Sequence, residues 1–401
     1  MRIPARDRSR LSAFWRRGIN VLHLRLAVLP AALLASSMVF APITARATGD
    51  APLPCVESSD PIVIAHRGAS GYVPEHTLGG YALAIEMGVN YIEPDLVMTK
   101  DGVLVARHEN DISGTTDVAD HPEFASRKTT KTIDGNAIQG WFTEDFTLAE
   151  LKTLRAKERL PQVRPTNERF NGDFTIPTFQ EVLDLARGVN FRFQLEARAK
   201  GLTHRRCVGV YPETKHPTYF QSIGLPMEKL LVKTINRAAF FRETKKVFIQ
   251  SFEVANLKTL RGLTDLPLIQ LMDSSGAPYD FVANGDTRTY ADLATPAGLA
   301  EIATYANGIG VNKSLIIPRV NNALGAPTTI IADAHAVGLD VHAWTFRAEN
   351  TFLPADFQSS ADPLEFGDLA GEITAFLDLG LDGFFTDQGD IGVRARDAFV
   401  K

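Results

Sequence analysis

Beyond residue 47 this 401-residue chain has no basic surplus: residues 48–401 carry 34 Lys and Arg against 46 Asp and Glu, a net charge of −12. Neutralising a phosphate backbone needs a basic face, so a nucleic-acid partner is excluded on charge. The chain also lacks any second long uncharged stretch after residues 26–45, so no other segment reads as a membrane span. Cysteine is scarce. Cys55 and Cys207 allow one disulfide at most, and a separation of 152 positions leaves open whether they meet. Disorder is excluded as the main state by 45% hydrophobic and 22% charged residues.

What is present at the start is a leader. Residues 1–47 hold eight arginines, one acid and no lysine, a local charge of +7. The uncharged stretch from Leu26 to Ala45 follows and ends in Ala45-Arg46-Ala47. Basic region, apolar region and small-x-small site form the pattern of a secretory signal cleaved after Ala47. An uncleaved anchor is the alternative, and Pro30 with Ser36-Ser37 weighs against it. Trp15 and Asn20 around Arg16-Arg17 fit a twin-arginine signal poorly. The expectation is an exported chain, periplasmic or secreted, with residues 48–60 as a linker and 61–401 as one catalytic domain. An oxidising compartment would then permit a Cys55–Cys207 disulfide.

From residue 61, short β-rich runs alternate with stretches of helical periodicity. The predicted strands are 62–65, 91–98, 103–108, 208–213, 247–251, 267–271, 308–311, 340–344 and 382–386; helices are predicted over 78–87, 148–156, 179–186, 228–241, 255–263, 299–306, 329–337 and 369–379. Strict alternation implies a parallel sheet, and about eight units imply a TIM (β/α)8 barrel. Nine strands compete for eight places. The pair around Lys100-Asp101-Gly102 reads as a hairpin, so one of its arms is surplus. Residues 113–177, after the second and third strands, are polar and too long for a loop of a compact fold; they are expected to form a functional lid or an inserted segment. A smaller insertion spans 274–295.

In such barrels the chemistry sits where strands end. The first strand ends in His66-Arg67, the second contains Glu93-Pro94-Asp95, the third ends in His108-Glu109 and the fourth in Glu213-Thr214-Lys215. Glu93 and Asp95, two apart on a strand, leave the same face and can grip one hard cation, with Glu213 completing a three-carboxylate set. Arg67 offers a planar fork to phosphate oxygens and Lys215 a point charge. His66 and His108 titrate near neutral pH, which suits one to take a proton and the other to give one. This combination is what phosphodiester cleavage requires. Glu196 competes with Glu213 as the fourth-strand carboxylate and is read instead as a helix or insertion residue. Glu75 is read either as a substrate or outer-shell contact or as a charge at a helix N-terminus, and Trp344 as pocket lining or barrel packing. His76, His121, His204, His216, His335 and His342 are read as surface or structural residues.

The segments Val63-Ile64-Ala65-His66-Arg67-Gly68-Ala69-Ser70-Gly71, Pro74-Glu75-His76-Thr77, Glu93-Pro94-Asp95, Leu96-Val97-Met98-Thr99-Lys100-Asp101-Gly102 and Val210-Tyr211-Pro212-Glu213-Thr214-Lys215 resemble the glycerophosphodiester phosphodiesterases, in particular their secreted or periplasmic branch. Gln250-Ser251-Phe252, Val341-His342-Ala343-Trp344-Thr345 and Leu381–Asp387 echo the same family. The resemblance implies metal-dependent hydrolysis of deacylated phospholipids, such as glycerophosphocholine or glycerophosphoethanolamine, to sn-glycerol 3-phosphate and an alcohol. By that match His66 and His108 are the acid/base pair, Glu93, Asp95 and Glu213 the metal ligands, and Arg67, Lys215, Glu75 and Trp344 substrate or phosphate contacts. The cation implied is Ca2+, by analogy with the exported branch, with Mg2+ as the alternative. Two departures stand out: Glu75-His76 replaces the common Glu-Asn, and Glu109 replaces the Asp that usually follows the second histidine, which leaves the orientation of His108 open.

Within the fold, a phospholipase D-like enzyme acting on lysophospholipid or sphingolipid head groups is the rival reading. A binding protein on a degenerate barrel would be expected to have lost the charged rim. A glycoside hydrolase needs its carboxylate pair but no histidine pair. Head group, metal, oligomeric state and the role of residues 113–177 are left open by the sequence.

Overall fold

The computed structural model describes residues 51–56 and 59–401, so the leader lies outside the described residues. The first strands are β1 (Ile62–Ala65), β2 (Tyr91–Ile92), β3 (Asp95–Met98) and β4 (Leu104–Ala106), then the inserted hairpin β5 (Thr129–Ile133) and β6 (Asn136–Gly140). There follow β7 (Gly209–Val210), β8 (Glu213–Thr214), β9 (Ile249–Ser251), β10 (Leu268–Met272), β11 (Gly308–Asn312), the small hairpin β12 (Arg319–Val320) and β13 (Ala323–Leu324), β14 (Asp340–Phe346) and β15 (Gly383–Thr386).

Eight staves close a TIM-like barrel. Parallel pairing runs β1–β2, β2–β7, β3–β8, β8–β9, β9–β10, β10–β11, β11–β14, β14–β15 and β15–β1. The predicted strands 91–98 and 208–213 are each broken in two, because Pro94 and Pro212 supply no N–H to a ladder. Glu93 therefore lies in a break between strands rather than within one. The surplus arm is β4, which pairs antiparallel with β3 in a hairpin turning at Gly102, at φ 75°.

The interior and the outer layer are filled differently. Inside the barrel, Ile64, Tyr91, Tyr211, Ile269 and Phe385 form their own cluster, and the Tyr211 hydroxyl lies 2.7 Å from His342 Nδ1. Outside, helices lay their apolar stripes on the sheet in a larger continuous core. The helix Leu78–Met87 starts where Thr77 accepts from the Gly80 N–H and stops at Gly88, at φ 106°. The helix from Phe179 runs to Ala199, well beyond the predicted 186; a Thr178/Glu181 capping box nucleates it and Gly188 does not end it. A C-terminal helix, Gly389–Phe399, was not among the predicted ones. No helix among the described residues is long and apolar enough to cross a membrane. Cys55 and Cys207 are disulfide-bonded with Cα atoms 5.5 Å apart, tying the segment before β1 to the one before β7.

Candidate active site

The ends of the staves surround a cavity of about 240 Å³ whose wall includes His66, Arg67, Glu93, Asp95, His108, Glu213 and Trp344. Among the described residues, sequence positions spread over 278 residues are thus brought to one wall by the parallel register, which aligns the C-terminal strand ends.

His66 follows β1 directly. Its Nδ1 lies 2.5 Å from Asp387 Oδ1, at the end of β15, the strand paired with β1. Asp387 Oδ2 accepts from Arg164 Nη2 at 2.6 Å and from Arg347 Nε at 2.9 Å. Arg164 comes from the inserted segment; it also donates to Glu349 at 2.6 Å and to the Ser70 carbonyl at 2.9 Å. Although burial opposes it, these arginines and His66 hold the Asp387 carboxyl well below the usual range. Burial and Arg67 lower His66 to about 4 in spite of Asp387. The imidazole is therefore neutral at pH 7, with Nδ1–H donated to Asp387 and Nε2 left as an acceptor.

Arg67 takes a left-handed conformation, φ 58°, so that its own N–H donates to Glu93 Oε2 at 3.0 Å. Its guanidinium pairs with Glu75 at 3.1 Å and lies 3.5 Å from Asp95. Glu75 is buried, also accepts from Arg159 of the insertion at 2.7 Å, and is not part of the cavity wall. Its place is that of an anchor for two arginines.

Glu93, Asp95 and Glu213 each offer an oxygen within 4.8 Å of the other two. Gln250 donates to Glu93 Oε1 at 2.7 Å, and His76 Nε2 lies 3.0 Å from Asp95 Oδ2. Asp95 Oδ1 is buried with no hydrogen-bond partner. Burial and the Asp95 charge raise the Glu93 carboxyl far above its ordinary value, while burial, opposed by Lys215 and reinforced by Asp95, pushes Glu213 up to about 7. Three crowded carboxylates, one with an orphaned oxygen, fit a hard divalent cation, whose charge would let all three ionise.

His108 reaches the rim from the surplus arm of the expected hairpin. The predicted strand 103–108 is the returning arm β4, and the Arg107 N–H donates to the Asp95 carbonyl at 2.9 Å, which carries His108 back to the level of the carboxylates. Its Nδ1 lies 2.8 Å from Glu109 and its Nε2 3.4 Å from Lys215 Nζ. Glu109 therefore orients His108 through Nδ1, as Asp387 orients His66. Burial, with Arg67 and Lys215, lowers His108 to about 3. Lys215 bridges Glu213 at 3.1 Å. Trp344 packs edge-on against Phe252 and donates Nε1–H to the Gly310 carbonyl at 3.0 Å, holding one indole face on the wall. Glu196 sits on the outer helix, exposed, beside Arg192.

The match to the glycerophosphoryl diester phosphodiesterase family model covers residues 66–391. The chain belongs to this family. It is 37% identical over 345 residues to the glycerophosphodiester phosphodiesterase GDPD6 of Arabidopsis thaliana, covering 83% of this chain and 85% of that protein. Two solved structures share its fold. One is a Silicibacter pomeroyi protein at 21% identity, covering 87% of this chain and 97% of that one, with a TM-score of 0.57. The other is an Oleispira antarctica phosphodiesterase in complex with the product sn-glycerol-3-phosphate, at 18% identity, 84% and 97% coverage and a TM-score of 0.50.

A glycerophosphoryl diester phosphodiesterase is a phosphoric diester hydrolase, and the residues that sequence reasoning passed over are those that hold its machinery in place. Asp387 lay in a quoted family segment without a role. His76, read as surface or structural, is fully buried and fixes Asp95, with Nδ1 2.8 Å from Tyr81 Oη. His216 clamps Glu109 at 2.8 Å and Asp134 at 2.6 Å. Arg164, Arg159 and Arg347 gave no sequence signal, because isolated arginines in polar segments look like solvated charges.

Proposed function

We propose that the chain hydrolyses glycerophosphodiesters, deacylated phospholipids such as glycerophosphocholine, to sn-glycerol 3-phosphate and the free alcohol. The observation that supports this best is the pair His66 and His108, each with Nδ1 on a carboxylate, on the wall of a cavity shared with Arg67 and the carboxylate trio. His66, neutral and with Nε2 available, takes the proton from the attacking oxygen, either the glycerol 2-hydroxyl or water. The anionic diester raises His108 above its value in the free site, so that it binds with Nε2 protonated and gives that proton to the alcohol oxygen as the P–O bond breaks; where the 2-hydroxyl has attacked, water then opens the cyclic phosphate with the two histidines exchanging roles. Arg67 pairs with the phosphoryl oxygens and Lys215 keeps its charge beside them. A divalent cation held by Glu93, Asp95 and Glu213, calcium in our reading, would neutralise the charge that builds on the phosphoryl group.

We further propose an exported enzyme, a reading supported by the arginine-rich leader and by the Cys55–Cys207 disulfide. The test is release of sn-glycerol 3-phosphate from glycerophosphocholine. His66→Ala should lower kcat by about 1,000-fold, within the range for a lost acid or base, and chelation should abolish turnover until calcium is restored. Undiminished activity in either case removes the scheme.

A further inference from the structure

Two cations on the cavity wall have no substrate contact in the scheme above, although Arg347 also steadies Asp387. Lys313 directly follows β11 and Arg347 directly follows β14, the neighbouring stave. Each has its counter-ion behind it rather than in the cavity. Lys313 Nζ donates to Glu372 Oε1 at 2.5 Å, and Glu372 is completely buried, its other oxygen without a partner. Arg347 donates only its Nε to Asp387, at 2.9 Å. Among the described residues, no other acceptor engages Lys313 Nζ or the Arg347 terminal nitrogens by a hydrogen bond. Glu372 and Asp387 do not line the cavity, so this stretch of wall is cationic, with Lys313 Nζ resting on the Phe346 ring and the Arg347 guanidinium on the Phe352 ring.

An uncharged glycerol moiety gives such a wall nothing to pair with, and a quaternary ammonium gains nothing there, so glycerophosphocholine is a substrate that leaves these two cations unused. We infer that Lys313 and Arg347 form a second anion subsite, which takes an anionic group on the alcohol half of the diester, a carboxylate or a second phosphate. The inference rests on the diesterase reading and deepens it. Charge-assisted bonds to a partly desolvated anion discriminate strongly against a neutral isostere, because the donors are otherwise left unpaired.

The test compares kcat/KM for glycerophosphoglycerol with that for the same diester carrying a phosphomonoester on its alcohol half. The wild-type ratio should favour the phosphorylated diester by about tenfold or more. Lys313→Gln alone leaves buried Glu372 with only Arg319, 3.8 Å away, so the double variant Lys313→Gln with Glu372→Gln removes cation and buried counter-ion together; the ratio should fall to near one. Arg347→Gln provides the second variant: any loss of His66 positioning is common to both substrates and cancels in the ratio. A wild-type ratio of one, or a ratio unmoved in both variants, overturns the subsite. If neither diester is hydrolysed by the wild type, the diesterase reading itself fails.

Discussion

The two histidines face one cavity from flanks built in opposite ways. Around His66, Asp387, Arg164 and Glu349 are almost wholly buried, and the carboxylate that orients the ring is itself pinned by two arginines. Around His108 the side chain is 27% exposed and its partner Glu109 41% exposed, held on its far side by His216, which Asp134 backs in turn. A buried charge network is costly to break, since removing one member strands another, whereas an exposed pair is screened and adjustable. In the proposed scheme the His66 flank is therefore the fixed one. The His108 flank can shift as the leaving alcohol departs.

Breaking that asymmetry should give unequal losses. Asp387→Asn keeps the shape but allows the wrong His66 tautomer; kcat should fall by about 10,000-fold with KM nearly unchanged, in line with the effect of an orienting carboxylate on a catalytic histidine. Steady-state kinetics at pH 7 check this. Arg164→Gln should lower kcat by about tenfold and also destabilise the fold, by about 3 kcal/mol on the scale for breaking a buried pair, because Asp387 and Glu349 lose a shared cation. Denaturant unfolding measures the second effect. Arg164 lies in the insertion, so a neutral outcome would detach that segment from the site.

The smallest effect belongs to the exposed flank. Although burial opposes it, Asp134 and Glu109 raise His216 to about 9, above its ordinary value near 6.5. A raised pKa means that the stabilisation is complete below about pH 6.5 and is lost as pH climbs through about 9. The thermal midpoint should thus fall between pH 7 and 10, and His216→Gln should flatten that slope. An unchanged slope would show that the His216 contacts contribute nothing.

Much of the frame was legible because it is local. Alternating runs of period two and period 3.6, the turn at Gly102 and the capping residues report short-range preferences, and eight such units leave few architectures other than a barrel. The strand ends gave the rim, since His66, Asp95 and Glu213 adjoin apolar runs that could be read in isolation. Pro94 and Pro212 were visible but not read as breaks. The arm β4 shows the limit: the turn at Lys100-Asp101-Gly102 announced a hairpin with one surplus arm, and only pairing decides which of the two that is.

The sequence by itself determined the residue types: two histidines, three carboxylates, an arginine and a lysine at strand ends, whose chemistry does not depend on where the rest of the chain goes. Only the tertiary structure decided who holds them. Asp387 stands 321 positions from His66 and Arg164 223 from Asp387, and these separations carry no trace of contact until the barrel closes β15 against β1 and lays the insertion over the seam. Burial then sets each charge, because a carboxylate or imidazole titrates according to the neighbours it keeps after water is excluded.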